Sequence, residues 1–274
     1  MSRVRAWTRP WAWTGRTRRE RRTLRSVRTW QPKLGTEGGL RRSVELFQAF
    51  RVEQSDPARF YGLLARDSVA LVARHQRLPG ARVLDVGAGR GYFGDAFRAA
   101  GAWYASVDSD LAELKNRALP GRDAILGLGQ QLPVRGATVD VAFSSNLLEH
   151  VSEPFEVWEE LIRVTRPGGY VVTAFTNWLS PWGGHETSPW HYLGGERAAV
   201  RYERVRGHRA KNRYGESLFD LSVREALAWV VRRPDLDVVE ARPRYLPAWA
   251  GGLVRVPGLR EVATWNLFVV ARRR

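Results

Sequence analysis

The stretch Val83-Leu84-Asp85-Val86-Gly87-Ala88-Gly89-Arg90-Gly91-Tyr92-Phe93 reads as an apolar strand running into three alternating glycines and then a helix. Glycine has no Cβ, so the backbone there can turn sharply and approach a ligand closely. A first βα turn at the carboxyl edge of a parallel sheet is where nucleotide-like ligands bind. Asp108 closes the next predicted strand 21 residues after Gly87. A carboxylate at that point can accept hydrogen bonds from both hydroxyls of a ribose.

Outward from this loop the pattern alternates. Strands are predicted at Arg82–Val86, Tyr104–Asp108, Ala124–Leu128, Val139–Ser144 and Tyr170–Phe175, with helices at Tyr92–Ala100, Leu111–Arg117 and Glu153–Thr165. Short β and α segments in alternation predict a parallel, doubly wound α/β sheet. Pro167-Gly168-Gly169 is read as the break between the last helix and its strand. Before the sheet, Leu40, Val44, Leu46, Phe47 and Phe50 suggest an amphipathic helix, and Asp56-Pro57 suits the start of a second one, reaching about His75. After the fifth strand, residues 176–235 break the alternation and contain a helical pattern at Val223–Val231. A connection that long usually carries function or is disordered. Two β-like runs, Val238–Tyr245 and Ala263–Ala271, close the chain across an apolar link, Leu246–Leu259, read as a cap on the sheet edge.

At 274 residues and 44% hydrophobic, the chain can bury one sizeable core. It has no cysteine, which excludes disulfides, thiolate zinc sites and cysteine nucleophiles and makes a cytoplasmic setting the expectation. The net charge of +16 is unevenly placed: residues 1–33 hold eleven of the 44 Lys+Arg against a single acid, Glu20. This segment is expected to be a disordered basic arm, with peripheral contact to an anionic membrane as its functional reading. The body, residues 34–274, is only mildly basic, so nucleic acid is not an expected partner. No apolar run approaches the roughly 20 residues that span a bilayer.

Two cofactors compete for the glycine loop. A dinucleotide fingerprint wants G-x-G-x-x-G, whose third glycine would stand where this chain has Tyr92. What stands instead is G-x-G-x-G, preceded by Asp85. A carboxylate there repels a pyrophosphate and attracts an ammonium, which favours S-adenosylmethionine over a nicotinamide dinucleotide.

The succession Val83–Phe93, Asp108, Leu132-Pro133, Val139-Asp140-Val141-Ala142-Phe143, Leu148-Glu149-His150 and Arg166-Pro167-Gly168-Gly169 resembles class I S-adenosylmethionine-dependent methyltransferases. Asp56-Pro57-Ala58-Arg59-Phe60-Tyr61-Gly62, Gly183-Gly184-His185-Glu186, His191-Tyr192-Leu193-Gly194-Gly195 and Ala210-Lys211-Asn212-Arg213-Tyr214-Gly215 look similar to uncharacterised methyltransferases of mycobacteria and related actinobacteria. The resemblance implies a Rossmann-like seven-stranded sheet with its last strand antiparallel, helices on both faces and a substrate-side insertion after strand five. It places the methionine end of S-adenosylmethionine at Gly87, Ala88, Gly89, Gly91 and Tyr92, with Asp85 nearby, and the ribose on Asp108. It sets adenine beside Gly129, and Asn146 and Leu147 beside the sulfonium. An acidic residue expected five positions before Pro133 is replaced by Leu128, with Gln130 as its substitute.

Methyl transfer from a sulfonium needs aligned reactants, exclusion of water and a base for any proton on the acceptor. His150, at the helix start after Asn146-Leu147, and the cluster His185, Glu186 and His191 in the insertion are the candidate catalytic residues. No metal is expected there: His185 and His191 stand six positions apart rather than four, and Pro189 breaks any helix between them. Trp178, Trp182 and Trp190 are candidate walls of an acceptor pocket, and His208-Arg209-Ala210-Lys211-Asn212-Arg213 a basic patch for an anionic acceptor. The expectation is a methyltransferase with a small-molecule, lipid or glycan acceptor. A nicotinamide-dependent oxidoreductase and a non-catalytic module tethered by the basic arm are the alternatives.

Overall fold

The computed structural model describes residues 39–53, 55–115 and 123–274. The basic arm at residues 1–33 and the end of the helix expected to reach Arg117 lie outside the described residues. Two helices open the described chain, α1 (Leu40–Phe50) and α2 (Pro57–Ala73). Asp56 caps α2 by accepting from the Arg59 N–H at 3.1 Å, and Pro57 occupies its first turn, where no backbone donor is needed. The sheet then alternates as β1 (Arg82–Val86), α3 (Tyr92–Ala99), β2 (Trp103–Asp108), α4 (Leu111–Lys115), β3 (Ala124–Leu126), β4 (Val139–Ser145), α5 (Pro154–Val164) and β5 (Thr165–Thr176). The insertion carries two short 3-10 turns, His185–Thr187 and Trp190–Leu193, and α6 (Gly195–Arg206). It is followed by α7 (Val223–Arg232), β6 (Leu236–Pro243), a 3-10 segment at Ala248–Arg255, α8 (Leu259–Ala263) and β7 (Asn266–Arg273).

The seven strands lie in the order β3-β2-β1-β4-β5-β7-β6, parallel except for β7, which runs antiparallel between β5 and β6. Strand order reverses between β1 and β4, and that crevice at the carboxyl ends is the ligand-binding position of such sheets. Strand β1 buries both faces. Leu84 and Val86 join a core with Trp158 and Leu161 of α5 and Leu227 of α7, whereas Val83 joins Phe60 and Leu64 of α2 and Phe97 of α3. Each such fully buried apolar side chain contributes about 1.5–3 kcal/mol. The two helical layers therefore hold the sheet, and α7 belongs to one of them rather than to the insertion, whose own elements end before Ser222. That serine starts α7 with a capping box, its hydroxyl and the Glu225 side chain each bonding the other's backbone N–H.

One punctuation signal has a different outcome from the one expected. Arg166-Pro167-Gly168-Gly169 does not separate helix from strand but bulges within β5: Thr165 pairs with Val139 and Tyr170 already with Val141. Gly168 takes a left-handed φ of 78°, and Asp140 fastens the bulge by accepting from Arg166 Nε and from the Arg82 backbone N–H. Burial pushes the Asp140 carboxyl up, but these donors outweigh it and hold it below the usual range. The link after β6 covers that edge strand, burying Ala250 and Val254 while Trp249 stays exposed. Among the described residues no helix is long and apolar enough to cross a membrane.

Candidate active site

Gly87, Gly89 and Gly91 all adopt left-handed φ values, 75°, 51° and 79°, so the loop takes its path at no steric cost. At Gly87 a Cβ would also lie 2.9 Å from Leu147, so the β4 turn packs directly on the loop. At Gly89 nothing stands within 4 Å of an added Cβ, which leaves a cradle over the backbone. The Gly89 N–H donates to Asp108 Oδ2 at 2.7 Å, and the Asp110 N–H donates to Oδ1 at 2.9 Å. Each carboxylate oxygen has two lone pairs, so capacity to accept from a ribose remains. Asp85 is 1% exposed and accepts from the Tyr104 hydroxyl at 2.6 Å, placing its charge beneath the loop rather than on its surface. Gly129 lies in the turn closed by Gln131 N–H to Leu128 O, and it too packs against Leu147. Leu128 is exposed and Gln130 half-buried beside it.

The first cover over this loop comes from the N-terminal helices. Tyr61 of α2 stacks on Tyr92 with ring centroids 5.3 Å apart and planes within 8°. Its hydroxyl donates to Glu53 at 2.7 Å. Burial drives the Glu53 carboxyl up, against that hydrogen bond. Phe50 meets Trp182 of the insertion edge-on at 5.1 Å, so helix and insertion close against each other.

The end of β4 carries the polar chemistry. Asn146 adopts a left-handed φ of 58°, its Oδ1 accepting from Asn266 Nδ2 at 2.9 Å. Arg244, fully buried after β6, donates to Ser145 Oγ at 2.8 Å and to Ser68 Oγ of α2, tying the β4 end to the helices. Two residues beyond Leu147, Glu149 is 1% exposed; its Oε1 accepts from the Thr176 N–H at 2.8 Å and its Oε2 has no partner. Burial raises the Glu149 carboxyl despite the opposing influence of His150 and the Thr176 N–H. His150 Nδ1 donates to the Ser217 carbonyl at 2.7 Å, which leaves Nε2 as its other ring nitrogen. His185 meets His150 edge-on at 5.0 Å, with its Nε2 buried and unpartnered. Burial first, then His150, His191 and Lys211, lower the His185 pKa to about 3, so its imidazole is neutral. A ring nitrogen of each histidine and a Glu149 oxygen all lie within 4.8 Å of one another.

These features invite comparison with known proteins. A profile described as a methyltransferase domain matches residues 84–173. An uncharacterised methyltransferase of Mycolicibacterium gilvum is 48% identical over 244 residues, covering 85% of this chain and 94% of the relative. One from Mycobacteroides abscessus is 46% identical over 248 residues, 86% and 95% of the two chains. The chain belongs to this methyltransferase family. Its fold is shared with an S-adenosylmethionine-dependent methyltransferase of Mesorhizobium loti, with a TM-score of 0.54 at 20% identity over 76% of this chain and 98% of that one. The loop fits that cofactor: a backbone cradle open at Gly89, a carboxylate at Asp108 and a neighbouring turn at Leu147. The methyltransferase therefore uses S-adenosylmethionine, and the nicotinamide alternative falls away.

Not every residue singled out in the methyltransferase's sequence converges on the β4 end. His150 and His185 meet there. Glu186 lies beside them in sequence but accepts from Asn212 Nδ2 at 3.0 Å. His191 is buried within the insertion, donating to the Ser180 carbonyl at 3.0 Å and packed edge-on against Trp178. A Cβ on Gly184 would come 2.5 Å from the His191 Cβ and 2.6 Å from its ring, which explains the glycine of that motif as a packing requirement. Trp178 packs between His191 and Tyr214, and Trp190 beneath Arg201; of the three tryptophans, Trp182 meets the N-terminal helix. In the basic patch, Arg213 bonds Glu196, Glu203 and Glu216, and Arg209 bonds Glu216, so most of its charge is matched locally. Glu149 and Tyr61 escaped sequence reasoning as site residues. Glu149 stands in a quoted motif, but nothing in the spelling Leu-Glu-His reveals that it is buried.

Proposed function

We propose that this methyltransferase transfers its methyl group in line to an oxygen or nitrogen of a small-molecule, lipid or glycan acceptor at the carboxyl end of β4, where Glu149, His150 and His185 relieve the acceptor of its proton. The observation that carries this reading is the junction at Leu147, which touches Gly87 of the donor loop and stands two residues from Glu149. When bound, S-adenosylmethionine supplies an electrophilic methyl on a sulfonium. The chain's residues supply the rest.

Gly87, Gly89 and Gly91 receive the methionine end and Asp108 the ribose, setting donor position against β4. Tyr61 on Tyr92 and Phe50 on Trp182 close over the loop and exclude water, which strengthens every electrostatic contact inside. The cluster brings a buried carboxyl, raised by burial towards the range of a general base, beside two imidazoles, groups of the kind that take a hydroxyl or amine proton. The ring of Phe50 adjoins those of Trp182 and Tyr245, and the three suit an acceptor with an apolar or planar portion.

The reading is tested by incubating the full chain with methyl-labelled S-adenosylmethionine and separate metabolite, lipid, glycan, protein and RNA fractions of the source organism. Label is expected in one of the first three, and Glu149→Gln should abolish it while leaving cofactor affinity intact. Label confined to protein or RNA overturns the proposal.

A further inference from the structure

The Glu149–His150–His185 cluster gathers a carboxyl and two imidazoles whose ligand atoms lie within 4.8 Å of one another, two of them buried without a partner. Glu149 is 1% exposed and its Oε2 has no partner; His185 Nε2 is likewise buried and unpartnered. His150 donates from Nδ1 to the Ser217 carbonyl, which leaves Nε2 as its ligating nitrogen. Buried polar atoms left without a partner are costly. A cation bound among them would engage all three side chains at once.

We infer that these three side chains form a binding site for a divalent first-row transition ion of the zinc type. Two imidazoles and one carboxylate are a donor set that suits zinc and iron better than magnesium, which prefers oxygen alone. A histidine whose far nitrogen donates to a backbone carbonyl is the usual outer support of such a ligand, and His150 on Ser217 has it. Glu149 is supported in the same way by the Thr176 N–H on its other oxygen. The donor atoms lie within 4.8 Å of one another, whereas bonds of about 2.0–2.1 Å to a tetrahedral ion place donors roughly 3.3 Å apart. Side-chain rotation of about 1–1.5 Å closes that gap. The ligands are not the pair whose spacing failed in sequence: His191 is engaged with Ser180, and His150 joins His185 from a different segment.

Three protein ligands leave a coordination position open. An acceptor hydroxyl or amine bound there would become acidic and release its proton to solvent. That role rests on the function proposed above; the ion site itself does not.

The test uses the full chain freed of metal with a chelator and titrated calorimetrically with Zn2+ and, separately, Mg2+. One Zn2+ per chain is expected, at least 100-fold tighter than Mg2+. Glu149→Gln, which keeps the bond to Thr176, and His185→Asn should each weaken Zn2+ binding 10-fold or more, while His208→Ala, at an exposed histidine, leaves it unchanged. S-adenosylmethionine affinity, measured on the same samples, shows that each variant is folded. Absence of Zn2+ binding to the wild type, or binding indifferent to both variants, overturns the inference. The proposed methyl transfer would then stand with proton uptake by the cluster alone. Zn2+ binding without methylation of any fraction would overturn the transfer proposal and keep the site.

Discussion

The donor loop and the β4 end sit against each other, yet they are built in opposite ways. The loop is contiguous: eleven residues from Val83 to Phe93 supply strand, turn and helix, with Asp108 joining from the end of β2. The β4 end is assembled from far-flung pieces, with Glu149 and His150 after β4, His185 in the insertion, Thr176 at the end of β5 and Ser217 beyond α6. A contiguous site is specified by local backbone geometry. An assembled one depends on which segments the sheet brings together and how deeply it buries them.

This contrast predicts separable losses. The largest effect is expected for Glu149→Gln or His150→Ala, with kcat reduced about 10²–10⁴-fold, the usual worth of positioned proton transfer. Cofactor affinity, measured by calorimetry, should stay within a factor of two. A parallel collapse of cofactor binding would break the division between the two halves. Asp108→Ala is the converse: loss of charged hydrogen bonds worth about 1.5–3 kcal/mol should raise the S-adenosylmethionine Kd roughly 10–100-fold. At saturating cofactor, its kcat should approach that of the wild type.

Tyr61→Ala probes the seam between the halves. Losing the stack on Tyr92, worth about 0.5–1.5 kcal/mol, should weaken cofactor binding roughly 2–10-fold. A quench-flow measurement that finds unproductive cofactor hydrolysis would show that the stack also excludes water. The smallest effect on turnover is expected at Asp140, near the opposite end of β4. Its carboxyl is depressed in the folded chain, so its stabilisation is present above the ordinary aspartate range and is lost as pH falls through the lowered value. Asp140→Asn should thus lower Tm at neutral pH, flatten the acid side of the stability profile and leave kcat unchanged at moderate temperature.

Much of the fold was legible because the signals were local. Strand β1 begins and ends where its apolar run does, Asp56-Pro57 starts α2, and Gly-rich turns follow the strands. Pro167-Gly168-Gly169 misled because a bulge and a chain break use the same residues for the same backbone freedom; pairing with β4, and Asp140 with its arginine, decide between them. On the candidate site, His150 and His185 carried chemical identity enough to be singled out, whereas His191 carried the same identity and faces the insertion's own core. Residue type alone does not distinguish a packed imidazole from one left open.

By itself, then, the sequence determined a doubly wound sheet, a glycine loop without the dinucleotide spacing and a carboxylate closing the next strand, because apolar runs, glycine conformation and short spacing are local properties. Only the tertiary structure decided that Glu149 is buried with an oxygen unpaired, that Ser217 orients His150, and that His185 meets them from 35 residues away. Those facts follow from long-range packing and desolvation, which no local pattern encodes.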